Sequence, residues 1–132
     1  MALANELRNG TQLDPKLREL ALLTVGRLTG ADYELVHHWN MALRLGVKHE
    51  QLQQLVRFET SPEFNQDERA VMRYAVEATT NVNVSDETFE ALRRFLDNRR
   101  IVELVMNVAM YNAVARVIVP CGVELEPGIN RN

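Results

Sequence analysis

The sequence predicts an all-α protein, a single bundle of about six helices, and three observations carry that expectation. Apolar residues recur at three- and four-residue spacing, start and stop signals bracket each such stretch, and no segment sustains strand-like alternation. The chain holds only six Gly, four Pro and 6% aromatic residues, few for the turns and faces of a barrel or sandwich. Its 132 residues make one domain, read as a lead-in over 1–13, a helical body, and a tail over 121–132.

Asp14-Pro15 opens the first helix, with Asp as N-cap and Pro at the first helical position, where its missing N–H breaks no bond. Leu17, Leu20, Ala21, Thr24 and Leu28 form one stripe. Leu22, Leu23 and Gly26 make the other side apolar too, with Glu19 its one charge. A helix apolar on two sides is buried on two sides. Gly30 ends it. Thr29-x-x-Asp32 has the form of a capping box for a second helix, over about Ala31 to Leu45 and closed by Gly46. A short third helix is expected from Glu50 to Phe58, with a poorly capped start at Lys48. Ser61-Pro62 breaks the chain, Asn65-x-x-Glu68 caps a fourth helix through Ala78, and Ser85 begins a fifth ending near Leu96. Asp97 caps the sixth and most apolar helix, which stops at Pro120.

Composition excludes several classes of function. Hydrophobic residues are 46% and charged residues 25%, a globular balance. Fifteen Lys+Arg against 18 Asp+Glu, a formal charge of -3, leave no basic surplus for phosphates, so no nucleic-acid partner is expected. The single cysteine, Cys121, forms no internal disulfide and no CxxC centre, and reads as a buried structural thiol. His37 and His38 are adjacent, so their rings diverge by about 100° on a helix and cannot share one metal. No metal and no cofactor are expected. Ile101 to Val119 approaches spanning length, but Glu103, Asn107, Asn112 and Arg116 suit a buried helix better than a lipid-facing one. A soluble, cytoplasmic chain is expected, without a membrane partner or a leader.

The second helix carries the chemistry. Ala31, Glu34, His38, Met41, Ala42 and Leu45 share one face, so Glu34 and His38 form an i,i+4 pair in an apolar stripe. Such a pair would titrate near neutrality and suit a proton donor and acceptor. The same spacing serves equally for a core histidine bonded to a structural glutamate. Glu19, set among Leu22, Leu23 and Gly26, is a second candidate for chemistry or an exposed first-turn residue favoured by the helix dipole. On the sixth helix Glu103, Asn107 and Tyr111 line up at four-residue steps, and Asn112 and Arg116 form a second pair. Bonds between helices, or a subunit contact, account for these polar groups without catalysis. Two apolar sides on the first helix and a nearly all-apolar sixth exceed what a monomer of this size covers, so a homo-oligomer is expected.

Leu13-Asp14-Pro15-Lys16-Leu17-Arg18-Glu19-Leu20, then Arg27-Leu28-Thr29-Gly30-Ala31-Asp32-Tyr33-Glu34, His38 and Gly46-Val47, resemble the carboxymuconolactone decarboxylase family. Val84-Ser85-Asp86, Val102-Glu103-Leu104, Tyr111-Asn112 and the ending Gly122 to Gly128 extend the match along nearly the whole chain. The resemblance implies an all-helical fold assembled as a trimer or hexamer, with the site near a subunit contact. The family also contains the alkyl hydroperoxide reductase D type of thiol peroxidase, which uses a Glu, a CxxC and a His. Laid on this chain, that Glu is Glu19, the cysteine places fall on Ala31 and Glu34, and the His is His38. Both thiols are absent, so peroxidase chemistry lacks its nucleophile here. The Glu34-x-x-x-His38 form resembles the decarboxylase branch, in which a lactone acid loses carbon dioxide while a proton moves to another carbon. The implied activity is cofactor-independent acid–base catalysis on a small cyclic organic acid or lactone. Glu34 and His38 are central to it, Glu19 supports them, and Arg27, Arg116 and Tyr111 are candidates to bind the substrate. The alternative from another class is a non-catalytic oligomeric binding or scaffold protein, whose His38 pocket would be missing or plugged by Met41 or Trp39.

Overall fold

A computed structural model describes residues 2–132, and among them every regular element is a helix. In chain order these are α1 (Ala2–Asn9), α2 (Pro15–Thr29), α3 (Asp32–Arg44), α4 (His49–Gln53), a 3₁₀ turn (Leu55–Arg57), α5 (Gln66–Asn81), α6 (Asp86–Arg93) and α7 (Asn98–Ile118). The expected lead-in contains α1. Eight residues bearing one buried side chain, Leu7, present too little periodicity to stand out in a sequence. The expected third helix divides into α4 and the 3₁₀ turn, and α6 stops at Arg93, short of Leu96.

Packing follows from the apolar character of α2. Every residue from Arg18 to Gly26 is buried, because α2 runs through the centre of the bundle against α3, α5 and α7. Its second apolar side is therefore covered by the chain itself and needs no partner subunit. Burying each of Leu20, Leu22 and Leu23, all at most 2% exposed, contributes about 1.5–3 kcal/mol. Helix α7 is long and apolar enough by composition to cross a membrane. It packs instead as a bundle helix, with Leu104, Asn107 and Val108 buried. Val102, Met106 and Val117 on its outer face remain exposed.

The caps explain where the helices begin. Asp14 accepts from the Lys16 N–H at 2.9 Å, Asn65 and Glu68 cap one another's backbone at 2.9 Å each way, and Ser85 and Asp97 accept from Thr88 and Arg100. The expected capping box before α3 does not form. Thr29 Oγ1 donates back to the Val25 carbonyl at 2.8 Å, and Ala31 is the N-cap without a side-chain bond. A threonine still inside α2 satisfies its hydroxyl on the preceding turn. Gly30 makes the reversal, at φ +67° in the left-handed region, where a Cβ is disfavoured. This tight corner lays α3 back along α2.

The polar residues of α7 hold the frame. Glu103 accepts the N–H groups of Gln12 and Leu13 at 2.9 and 2.8 Å, tying the loop before α2 to α7. Asn107 donates to the Glu103 carbonyl, and Asn112 donates to Thr79 Oγ1 on α5 at 2.9 Å. Beyond α7, Cys121 is exposed rather than buried, because the chain leaves the bundle there. The tail docks along α3. Glu126 contacts the Tyr33 hydroxyl at 3.0 Å and His37 Nε2 at 3.2 Å, and Asn40 exchanges bonds with Asn130 and Asn132.

Val82, which caps α5, is a β-branched residue at φ +64°, ψ -47° with an 86% exposed side chain. Positive φ is strained for such a residue, and no packing there repays the strain. Val82→Gly is expected to stabilise the protein by about 1 kcal/mol, net of glycine's entropy, and to raise the thermal midpoint.

Candidate active site

Turning at Gly30 brings the second turn of α2 beside the middle of α3, and a line of charged side chains forms inside the bundle. Glu19 is 2% exposed and His38 7% exposed. His38 Nδ1 lies 2.5 Å from Glu19 Oε2, and His38 Nε2 lies 3.1 Å from Glu34 Oε2. Arg18, also buried, donates from Nε to the other oxygen of Glu19 at 3.2 Å and from a terminal nitrogen to the Arg8 carbonyl at 2.9 Å. The order Arg18, Glu19, His38, Glu34 alternates in sign, so the buried charges are compensated.

Two carboxylates on the two ring nitrogens specify the ring's protonation. Only the imidazolium carries an N–H on both nitrogens. Burial alone pulls the His38 pKa down, but hydrogen bonding to Glu19 and Glu34, and their charges, outweigh it and raise the pKa to about 9. The sequence expectation of titration near neutrality considered one carboxylate, and the second one, Glu19, moves it upward.

His38 and Glu34 border an open hollow of about 350 Å³, whose wall includes Arg8, Arg44, Met41 and Tyr111. The Tyr111 ring meets the His38 ring edge-on, with centroids 4.7 Å apart. Burial first of all pushes the Tyr111 hydroxyl above its ordinary pKa, against an opposing effect of Arg8, so it remains a neutral donor. Arg8 and Arg44 are exposed at this hollow, and neither side chain has an acidic partner among the described residues. Unpaired guanidinium groups beside a cavity suit a carboxylate.

Of the residues singled out in the sequence, Glu19, Glu34, His38 and Tyr111 come together. Arg27 and Arg116 do not join them. Arg116 donates to Asn112 beside a hollow between the ends of α2 and α7, and Arg27 lies at a separate hollow with Trp39. Arg8, Arg18 and Arg44 escaped sequence reasoning. Arg18, inside the buried run of α2, carried the one available signal: a charge among apolar neighbours needs a partner. Met41 lines the hollow without filling it, and Trp39 is not part of its wall. No group of three His, Cys, Asp or Glu side chains among the described residues is arranged to hold a metal ion.

With this geometry in hand, comparison with known proteins defines the class. The carboxymuconolactone decarboxylase family model matches residues 1–77, more than half of the chain, and the protein belongs to that family. No curated protein matches its sequence. Its fold is similar to that of a protein of unknown function from Agrobacterium tumefaciens, described as a putative antioxidant defence protein AhpD. The two are 20% identical with a TM-score of 0.89, over 96% of this chain and 87% of that one. An uncharacterized peroxidase-related protein from Silicibacter sp. TM1040 is also 20% identical, with a TM-score of 0.85 over 97% and 69% of the two chains. A variant of the debrominase Bmp8 in complex with 2,3,4-tribromopyrrole is 20% identical, with a TM-score of 0.83 over 96% and 68%. At such identities the likeness is one of fold: an AhpD-like helical bundle, here without the paired cysteines.

Because folding raises the His38 pKa from 6.5 to about 9, the folded state holds this proton more tightly than the unfolded chain. The resulting stabilisation is complete below pH 6.5, fades as pH rises and is gone above about 9. Urea unfolding at about pH 6 and about pH 10 should therefore differ by up to about 3 kcal/mol. The difference should shrink sharply in His38→Gln.

Proposed function

We propose that this protein is a cofactor-independent acid–base catalyst that decarboxylates a small cyclic organic acid or lactone, or moves a proton on it. The observation that carries the reading is one histidine held between two glutamates at the wall of an open hollow that also presents two arginines without an acidic partner among the described residues. In a decarboxylation the bond to the departing carboxylate breaks, carbon dioxide leaves, and the electron pair stays on the remaining carbon framework. A proton must then reach that framework. The Glu34–His38 pair borders the hollow with a proton in hand, and Glu19 holds the imidazole from behind. Arg8 and Arg44 would receive the carboxylate before it leaves, and the neutral Tyr111 hydroxyl would donate to a substrate carbonyl. This assigns to Arg8 and Arg44 the role that sequence reasoning offered to Arg27 and Arg116.

The scaffold alternative called for a missing or plugged pocket. An open hollow of about 350 Å³ beside His38 favours catalysis over it. Thiol peroxidase chemistry lacks both cysteines, and Cys121, beyond α7, does not line this hollow. We further propose that the chain works in the cytoplasm as a homo-oligomer, a trimer or hexamer, supported by the exposed Val102, Met106 and Val117 on α7.

Two measurements test this reading. A panel of small lactone carboxylic acids should release carbon dioxide, or take up deuterium at carbon from heavy water, with the native protein. His38→Gln should lower the rate by at least about 100-fold without loss of helicity, and Arg44→Gln should act mainly on KM. Undiminished turnover by a folded His38→Gln protein overturns the assignment. Sedimentation at micromolar concentration should give a multiple of 15.1 kDa, and Val102→Glu should weaken the assembly.

A further inference from the structure

Neighbouring residues on α3 point about 100° apart, so Leu35 and Trp39 border a different hollow from Glu34 and His38. This second hollow, of about 410 Å³, forms where α2, α3, the 3₁₀ turn and the tail meet, and its wall includes Arg27, Leu35, Trp39, Leu55, Val56 and Arg131. Its apolar side chains surround two guanidinium groups, and no acidic residue borders it.

We infer that this hollow is a second ligand site, separate from the His38 hollow, for an organic acid with an apolar body: a medium-chain acyl or aryl carboxylate. Three observations carry the inference. Arg27 is charged and without a counter-ion: its Nε is buried and has no hydrogen-bond partner among the described residues, and none of the ion pairs includes it. A cation already stripped of part of its water loses little more when an anion arrives, and gains the charge-assisted bonds it lacks. Burial lowers the Arg27 pKa, the mark of that uncompensated state. Second, Arg131 lies over the Trp39 ring, 5.3 Å from its centroid, a second cation beside an aromatic face. The indole is held in place by its N–H bond to the main-chain oxygen of the terminal Asn132 at 3.3 Å. Third, Val56 is 72% exposed beside the buried Leu52 and Leu55. An apolar chain laid along these residues would cover surface now facing water. The volume lies within the range of small-molecule sites.

Trp39 is the only tryptophan in the chain, so its fluorescence, excited beyond the tyrosine absorption band, reports on this hollow. The probes are octanoate and the uncharged 1-octanol. Octanoate should change Trp39 fluorescence saturably, and 1-octanol should bind at least about tenfold more weakly, a loss of about 1.4 kcal/mol. Arg27→Gln should weaken octanoate at least about tenfold. Arg131→Gln, on the exposed tail, should also weaken it and serves where Arg27→Gln fails to fold. His38→Gln and Arg44→Gln should leave the octanoate titration unchanged, which separates this site from the other hollow. The inference is overturned if octanoate gives no saturable change at millimolar concentration, if octanol binds as well as octanoate, or if folded arginine variants titrate like the native protein. It is equally overturned if sedimentation shows an oligomer that octanoate neither binds nor dissociates while Trp39 is shielded from added quenchers, because the hollow is then a contact between copies.

Discussion

The contact between Glu19 on α2 and His38 on α3 is the constraint around which this molecule is organised. Both groups are buried, and either would be expensive alone: an ionised carboxylate or an imidazolium without a partner in the interior loses several kcal/mol of hydration. Their 2.5 Å approach requires that α3 return along α2 in one register, which the left-handed corner at Gly30 permits. It also requires that α2 be the central helix, since only an element surrounded by α3, α5 and α7 can bury Arg18 and Glu19 together with the leucines that flank them.

The electrostatic line runs outward from there. Arg18 lies at its inner end, bonded to Glu19 and to the backbone of α1, and Glu34 lies at its outer end, bordering the His38 hollow. Alternating signs let the four groups share an interior at no net charge. A proton leaving the line would uncover a carboxylate and raise the affinity for the next proton. The four groups therefore titrate as a coupled set rather than one by one.

Helix α3 separates two environments. On one side Glu34, His38 and Met41 border the His38 hollow with Arg8 and Arg44; on the other Leu35 and Trp39 border a more apolar one with Arg27 and Arg131. The tail touches both faces. Glu126 holds Tyr33 and His37, while Asn130 and Asn132 hold Asn40 and Trp39. The docked tail thus holds side chains beside the His38 hollow and, through Arg131, forms part of the wall of the other, although its own residues are mostly exposed.

Local rules were legible in the sequence wherever the physics is local. Asp14-Pro15, Asn65-x-x-Glu68, Ser85 and Asp97 mark helix starts because a cap acts on backbone two or three residues away. Glu34 and His38 announce a pair because helix geometry alone puts them one turn apart. Thr29 misled because its hydroxyl had a nearer acceptor inside α2, and α1 was missed because one buried leucine makes no pattern. What the sequence by itself determined was the helical class, most of the boundaries and the Glu34–His38 spacing, all set by interactions within a few residues. Tertiary structure alone decided that Glu19 is buried on the far ring nitrogen of His38, that Arg8 and Arg44 rather than Arg27 and Arg116 border that histidine's hollow, and that Cys121 faces water. Those outcomes depend on which helices meet, and that is governed by burial summed over the whole bundle rather than by any short stretch of chain.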